Sequence, residues 1–108
     1  AKTDDRFCVV SVLHERIDAA AALEFKDAVR RATTHAPSVV ILDLHRVNFI
    51  DSSGLGAIVA AMKHLAPQRA LVLAGLTPAV EKVFTLTRMD TVFGIFHTLD
   101  AALSAHRG

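Results

Sequence analysis

Cysteine is nearly absent: the single Cys8 leaves no partner for a disulfide within the chain, and its setting in Phe7-Cys8-Val9-Val10 reads as a buried thiol in a strand. A surplus of one charge is absent too. Lys and Arg total 12 against 11 Asp and Glu, and they are scattered without a basic stripe, which argues against nucleic acid as a partner. Long hydrophobic runs are missing, since Lys63 and Pro67 interrupt the longest apolar windows well short of the roughly 20 residues that span a bilayer. No charged n-region followed by an apolar stretch opens the sequence. The expectation is a soluble cytoplasmic protein with no direct membrane insertion.

Several catalytic signatures are missing in specific ways. Asp51 to Gly56 has no lysine after its glycines, so it is not a Walker-type phosphate loop. Gly54-Leu55-Gly56 is followed by Ala57-Ile58-Val59 without a third glycine, so the dinucleotide fingerprint fails. Ile50 and Asp51 stand where a hydrolase elbow needs glycine two residues before Ser52 or Ser53. A phosphoacceptor receiver needs an acidic pair after its first strand and a lysine after its last. Here Asp4 and Asp5 precede the first strand and His97 follows the last, so Asp43 reads as a polar residue at a strand end. His14, His35, His45, His64, His97 and His106 are dispersed without ligand spacing on one helix and read as surface residues. No base is paired with a nucleophile and no cofactor motif is present, so the chain is expected to be no enzyme and to need neither metal nor cofactor.

What is present is apolar and regularly patterned. The 108 residues are 52% hydrophobic with a mean hydropathy of +0.38, which suits one domain over residues 1–108 with a substantial core. Ala1 to Arg6 is polar and reads as frayed. Phe7 to Leu13 reads as a strand and His14-Glu15-Arg16 as a polar turn. Ala19 to Ala32 follows as a helix capped by Asp18, with Ala22, Phe25, Val29 and Ala32 inward. Pro37 stops that helix, and Val39 to Leu44 is a continuous β-branched run, the mark of a strand buried on both faces. After it, Leu55, Ile58, Val59, Met62 and Leu65 recur at helical spacing up to Pro67. Ala70 to Ala74 is the next buried strand, closed by Gly75, and Thr77-Pro78 opens a helix carrying Val80, Val83 and Phe84 inward. Val92 to Phe96 reads as the last strand, and Thr98 caps a terminal helix. Alternating strands and helices imply βαβ units: an α/β fold with a mostly parallel sheet of about four strands, room for one more at the N terminus, and about four helices.

The most informative stretch is Phe49-Ile50-Asp51-Ser52-Ser53-Gly54-Leu55-Gly56, which joins the buried strand to the second helix. Asp51, Ser52 and Ser53 fall at the helix start, where unpaired N–H groups and the helix dipole favour Asp, Ser and added anions.

This stretch resembles the signature of STAS domains, most closely those of bacterial anti-sigma factor antagonists. The likeness extends through Val39 to Leu44, Leu73 to Val80, and Val83-Phe84 to Phe93. It implies that Ser52, directly after the signature aspartate, is the phosphoacceptor. Asp18, Asp51, Ser53, Gly54, Leu55, Gly56, Ala57 and Ala60 would form the surroundings of the phosphosite and the partner surface; Gly56, Ala57, Ala60 and Ala61 are small enough to admit a partner to the helix backbone, and read equally well as ordinary helix filler packed against a neighbour. The implied partners are an anti-sigma factor that is a serine kinase of the histidine-kinase-like ATPase type and a PP2C-like phosphatase, acting on a monomer or weak dimer. The chain departs from the pattern where Glu15-Arg16-Ile17-Asp18 replaces the family's usual glycine and acidic residue, which makes Arg16 a candidate for partner choice. The family's first strand is expected to be short or absent. Two other roles fit the same resemblance: a STAS subunit of a transporter or lipid-transport complex, and a stressosome-type scaffold.

Overall fold

A computed structural model describes residues 2–3, 6–35 and 37–106. In chain order it contains β1 (Lys2–Thr3), β2 (Phe7–Ser11), β3 (Arg16–Ile17), α1 (Ala19–Ala32), β4 (Val39–Asp43), β5 (Phe49–Ile50), α2 (Ser52–Leu65), β6 (Ala70–Ala74), α3 (Pro78–Leu86), β7 (Gly94–Phe96) and α4 (Leu99–His106). The main sheet has the order β1-β2-β4-β6-β7. Its last four strands run parallel, with Cys8 opposite Val40 and Leu42 opposite Leu73, while β1 pairs antiparallel with β2. The first strand is thus short but present, two residues long. Of the frayed N-terminal segment expected above, Ala1, Asp4 and Asp5 lie outside the described residues.

Side chains alternate across a strand, and this alternation decides the layers. Cys8, Val10, Val40, Leu42, Leu71 and Leu73 face one cluster, which α1, α2 and α3 complete with Phe25, Val29, Ile58, Leu65, Val80 and Phe84. Phe7, Val9, Ile41 and Ala74 face the other side, where Ala102 of α4 covers them. Val40, Ile41 and Leu42 are all 0% exposed, as a continuous apolar run in a central parallel strand requires. Each such side chain contributes about 1.5–3 kcal/mol over its exposed state.

The helix starts follow local chemistry. Asp18 Oδ1 accepts from the Ala21 N–H at 3.1 Å, and Thr98 Oγ1 accepts from the Ala101 N–H at 3.1 Å. Thr77 occupies the cap position before Pro78, but its side chain caps nothing. Its hydroxyl donates instead to the Val47 carbonyl at 2.7 Å, and so ties the β4–β5 loop to the start of α3. Gly75 turns β6 toward that helix at φ +70, a conformation that favours glycine.

Three boundaries differ from the sequence reading, the first being β4, which ends at Asp43 rather than Leu44. β2 ends at Ser11 rather than Leu13, because its partner β4 ends at Asp43; only the Val12 N–H still reaches the Asp43 carbonyl, at 3.0 Å. β7 begins at Gly94 rather than Val92, because Met89–Thr91 forms a 3-10 turn whose Met89 carbonyl accepts from the Val92 and Phe93 N–H groups at 3.0 and 3.1 Å. Phe93 then enters the core and meets Phe84 edge to face at 5.9 Å.

Phe84 and Leu86 on the same helix separate core from surface. Phe84→Ala removes a fully buried ring and should cost about 3–5 kcal/mol in chemical denaturation. Leu86→Ala, at a site 73% exposed, should stay within about 0.5 kcal/mol.

Candidate functional site

A second, two-stranded sheet organises the region around Ser52. β3 pairs parallel with β5, Arg16 opposite Phe49 and Ile17 opposite Ile50. The Asn48 and Phe49 N–H groups both donate to the Glu15 carbonyl, at 2.8 and 3.3 Å, and the Asp51 N–H donates to the Ile17 carbonyl at 3.4 Å. The two-residue period sends Ile17 and Ile50 into the core, 1% and 5% exposed, and turns Arg16 and Phe49 outward. There the Arg16 Cζ lies 4.0 Å from the centre of the Phe49 ring. The expected polar turn at His14-Glu15-Arg16 is therefore a turn only as far as Glu15, and Phe49-Ile50 is strand rather than loop.

The residue after each of these short strands is an aspartate, and each aspartate caps a helix. Asp18 caps α1, and Asp51 caps α2 by accepting from the Gly54 N–H at 2.8 Å. Because Ile17 is in register with Ile50, the two caps follow side by side and the two helix N-termini converge. α2 itself meets β3 at Gly54, where a Cβ would fall 1.9 Å from the Ile17 carbonyl oxygen. Only a residue without a side chain fits there.

Ser52 and Ser53 are the first two residues of α2, and both are exposed. Gly56 is also exposed, with nothing within 4 Å of a Cβ built on it. Leu55 and Ala60 are half-buried. Ala57 and Ala61, at 2% and 6% exposure, face the core, which corrects the reading of them as partner surface and agrees with the reading of them as packed helix filler. Gly54 is buried as well, so its part in the site is to let β3 and α2 meet.

Electrostatics also acts on the first cap. The Asp18 carboxyl is held below its ordinary value of 3.8, first by the hydrogen bond from the Ala21 N–H; desolvation works against this, and Arg16 beside it adds to it. Arg16 Nε lies 3.4 Å from Asp18 Oδ2. The exposed rim thus carries Asp18, Asp51 and Arg16 around the two serine hydroxyls.

The family model for the STAS domain matches residues 1–102. This chain belongs to the STAS domain family. An anti-sigma-B factor antagonist of Listeria monocytogenes is 34% identical over 80 residues, covering 73% of this chain and 70% of that protein. The crystal structure of an anti-sigma factor antagonist from Mycobacterium paratuberculosis superposes with a TM-score of 0.86 at 30% identity, covering 99% of this chain and 91% of that one. The Bacillus cell fate determinant SpoIIAA in its phosphorylated form shares the fold, with a TM-score of 0.71 at 22% identity over 99% of this chain and 96% of that one. No helix among the described residues of this STAS chain is long and apolar enough to cross a membrane.

One polar cluster of the STAS chain escaped the sequence reading. Asp43 does end β4, but it is only 3% exposed. Its carboxylate accepts from the Ser11 hydroxyl at 3.4 Å and the His45 N–H at 3.2 Å, and His45 Nδ1 lies 2.9 Å from both of its oxygens. The Asp-x-His spacing was visible in the sequence, whereas Ser11 joins only through strand register. Arg16 and Phe49 were equally far apart in sequence, and no periodicity links two strands of two residues each.

Two glycines two residues apart should respond oppositely in thermal or chemical denaturation. Gly54→Ala forces a side chain onto a backbone carbonyl and should cost about 1–3 kcal/mol or more. Gly56→Ala, in open space on the same helix, should gain about 0.5–1 kcal/mol. The Asp18 carboxyl, followed by NMR, should titrate below 3.8. Because the folded value is the lower one, its stabilising effect holds at neutral pH and fades as pH falls through and below the ordinary range. Arg16→Ala should recover only part of the shift, since the Ala21 N–H is the larger cause.

Proposed function

We propose that this chain is an anti-sigma factor antagonist that works by partner switching. Unphosphorylated, it binds an anti-sigma factor that is itself a serine kinase of the histidine-kinase-like ATPase type. That kinase transfers the γ-phosphoryl group of ATP to the Ser52 hydroxyl, with ADP and a proton released, and the phosphorylated chain dissociates. A PP2C-like phosphatase hydrolyses the phosphoserine and resets the cycle. The chain supplies a surface and a hydroxyl; the catalytic groups belong to its partners.

The observation that carries this reading is the position of Ser52. It is an exposed hydroxyl at the first residue of α2, directly after the capping Asp51, in a chain 34% identical to an anti-sigma-B factor antagonist. SpoIIAA, a protein of the same fold, exists in a phosphorylated form, which supports modification as a way of using this architecture.

Electrostatics explains why the modification would act on binding rather than on folding. A phosphoserine adds roughly −1.5 to −2 charge at neutral pH. Facing water at a helix N-terminus, it is favoured by about 0.3–2 kcal/mol through the helix dipole, so the fold tolerates it. A partner closing over the site removes that water and seals the phosphate beside Asp51 and Asp18. Two like unit charges about 6 Å apart repel by roughly 3 kcal/mol at an effective dielectric near 20, and 1.4 kcal/mol is tenfold in affinity. Gly56 and Ala60, small and accessible, would let the partner come close enough for this repulsion to count.

In a pull-down from native lysate read by mass spectrometry, wild type and Ser52→Ala should retain a serine kinase and Ser52→Asp should lose it. Incubation of the wild type with that kinase and ATP should place phosphate on Ser52. Phosphate mapped to Ser53 instead would overturn the assignment.

A further inference from the structure

Two contacts hold Arg16, and neither uses the two terminal nitrogens of its guanidinium. Cζ rests 4.0 Å from the centre of the Phe49 ring, and Nε reaches Asp18 Oδ2 at 3.4 Å. The side chain is 59% exposed. Arg16 is level with Phe49 in the ladder, yet its guanidinium points forward along the strands toward Asp18, two residues ahead. By the same register Asp18 follows beside Asp51, and Ser52 is one residue further. The arginine's reach toward Asp18 therefore runs in the direction of Ser52 along the paired strands.

We propose that Arg16 is a phosphate latch. When Ser52 is phosphorylated, the guanidinium turns from Asp18 to the phosphate and pairs with it through its terminal N–H donors, while the Phe49 ring keeps its place beneath it. The inference rests on reading Ser52 as the acceptor.

Three observations favour the exchange. The present Arg16–Asp18 contact is long, at 3.4 Å, and made through one nitrogen, whereas arginine meets phosphate oxygens in a forked, bidentate geometry. Asp18 keeps its main hydrogen bond without the arginine, because its Oδ1 is held by the Ala21 N–H at 3.1 Å. A phosphate carries about −1.5 to −2 charge against the single charge of a carboxylate, and stacking on Phe49 has already restricted the side chain that must move. The latch offsets part of the phosphate's charge in the free protein. It also withdraws from the partner a cation of this rim, so that modification adds a repulsion and removes an attraction together.

The test uses the full chain with phosphoserine encoded genetically at position 52, so no kinase is needed. Unmodified and phosphorylated proteins are treated with phenylglyoxal, and modification of each arginine is followed by mass spectrometry, with the exposed Arg46 as internal reference. Phosphoserine at 52 should slow Arg16 modification about threefold or more relative to Arg46, the scale of an exposed ion pair of this kind. An unchanged Arg16 rate would overturn the latch, and so would equal protection by phosphoserine placed at 53. As a second readout, Arg16→Ala should lower the melting temperature of the phosphorylated protein more than that of the unmodified one. Equal shifts would mean that Arg16 is only structural. Phosphate mapped away from Ser52 in the kinase incubation would remove the acceptor assignment while leaving these measurements intact.

Discussion

The site depends on the contact between Gly54 and the Ile17 carbonyl. A methyl group at position 54 would stand 1.9 Å from that oxygen, so α2 can lie against β3 only because residue 54 has no side chain. With that approach permitted, β3 and β5 pair, Ile17 and Ile50 lock into the core, and the two residues that follow are brought level. Both are aspartates, and both close the first turn of a helix. One missing side chain therefore sets how two helix N-termini, two carboxylates and two serine hydroxyls come to share a rim.

This rim differs from an ordinary pair of caps in what it leaves exposed. Asp18 and Asp51 each spend one carboxylate oxygen on a backbone N–H, at 3.1 and 2.8 Å, and each helix start is thereby capped without help from a partner. Ser52 and Ser53 take no part in the capping. A hydroxyl that the fold does not use can be modified without dismantling the fold, whereas loss of either aspartate would cost its helix start about 0.5–2 kcal/mol. On the proposed reading, regulation is placed where the domain's stability is least involved and where any bound partner must give up water around a dianion.

Much of this architecture was legible in the sequence because its signals are long or chemically sharp. The run Val39 to Leu44 could hardly be anything but a buried strand, and Asp18, Asp51 and Thr98 sit where helix caps must be. The alanine face of α1 and the apolar spacing of α2 predicted their buried sides through Phe25, Val29, Ile58 and Leu65. What escaped was short or non-local. β3 and β5 hold two residues each, too few for any period to appear. The tie of Thr77 to Val47 spans 30 residues, and it draws the threonine hydroxyl away from the cap its sequence suggested. Ala57 looked available because it is small and close to the signature, yet helical geometry turns it inward. In the site itself, Ser52's neighbours along the chain were readable; Arg16 over Phe49 became apparent only when the register of the small sheet was known.

The central claim is that charge placed on Ser52 breaks an interface. Isothermal titration of the captured kinase, held without ATP, against three forms of this chain tests it most directly: unmodified, carrying phosphoserine at 52, and carrying phosphoserine at 53. Two repulsions of roughly 3 kcal/mol, partly relieved by Arg16, predict binding at least about a hundredfold weaker with phosphoserine at 52 than without it, and a smaller loss at 53. Equal affinity of the unmodified protein and the protein phosphorylated at Ser52 would contradict the account.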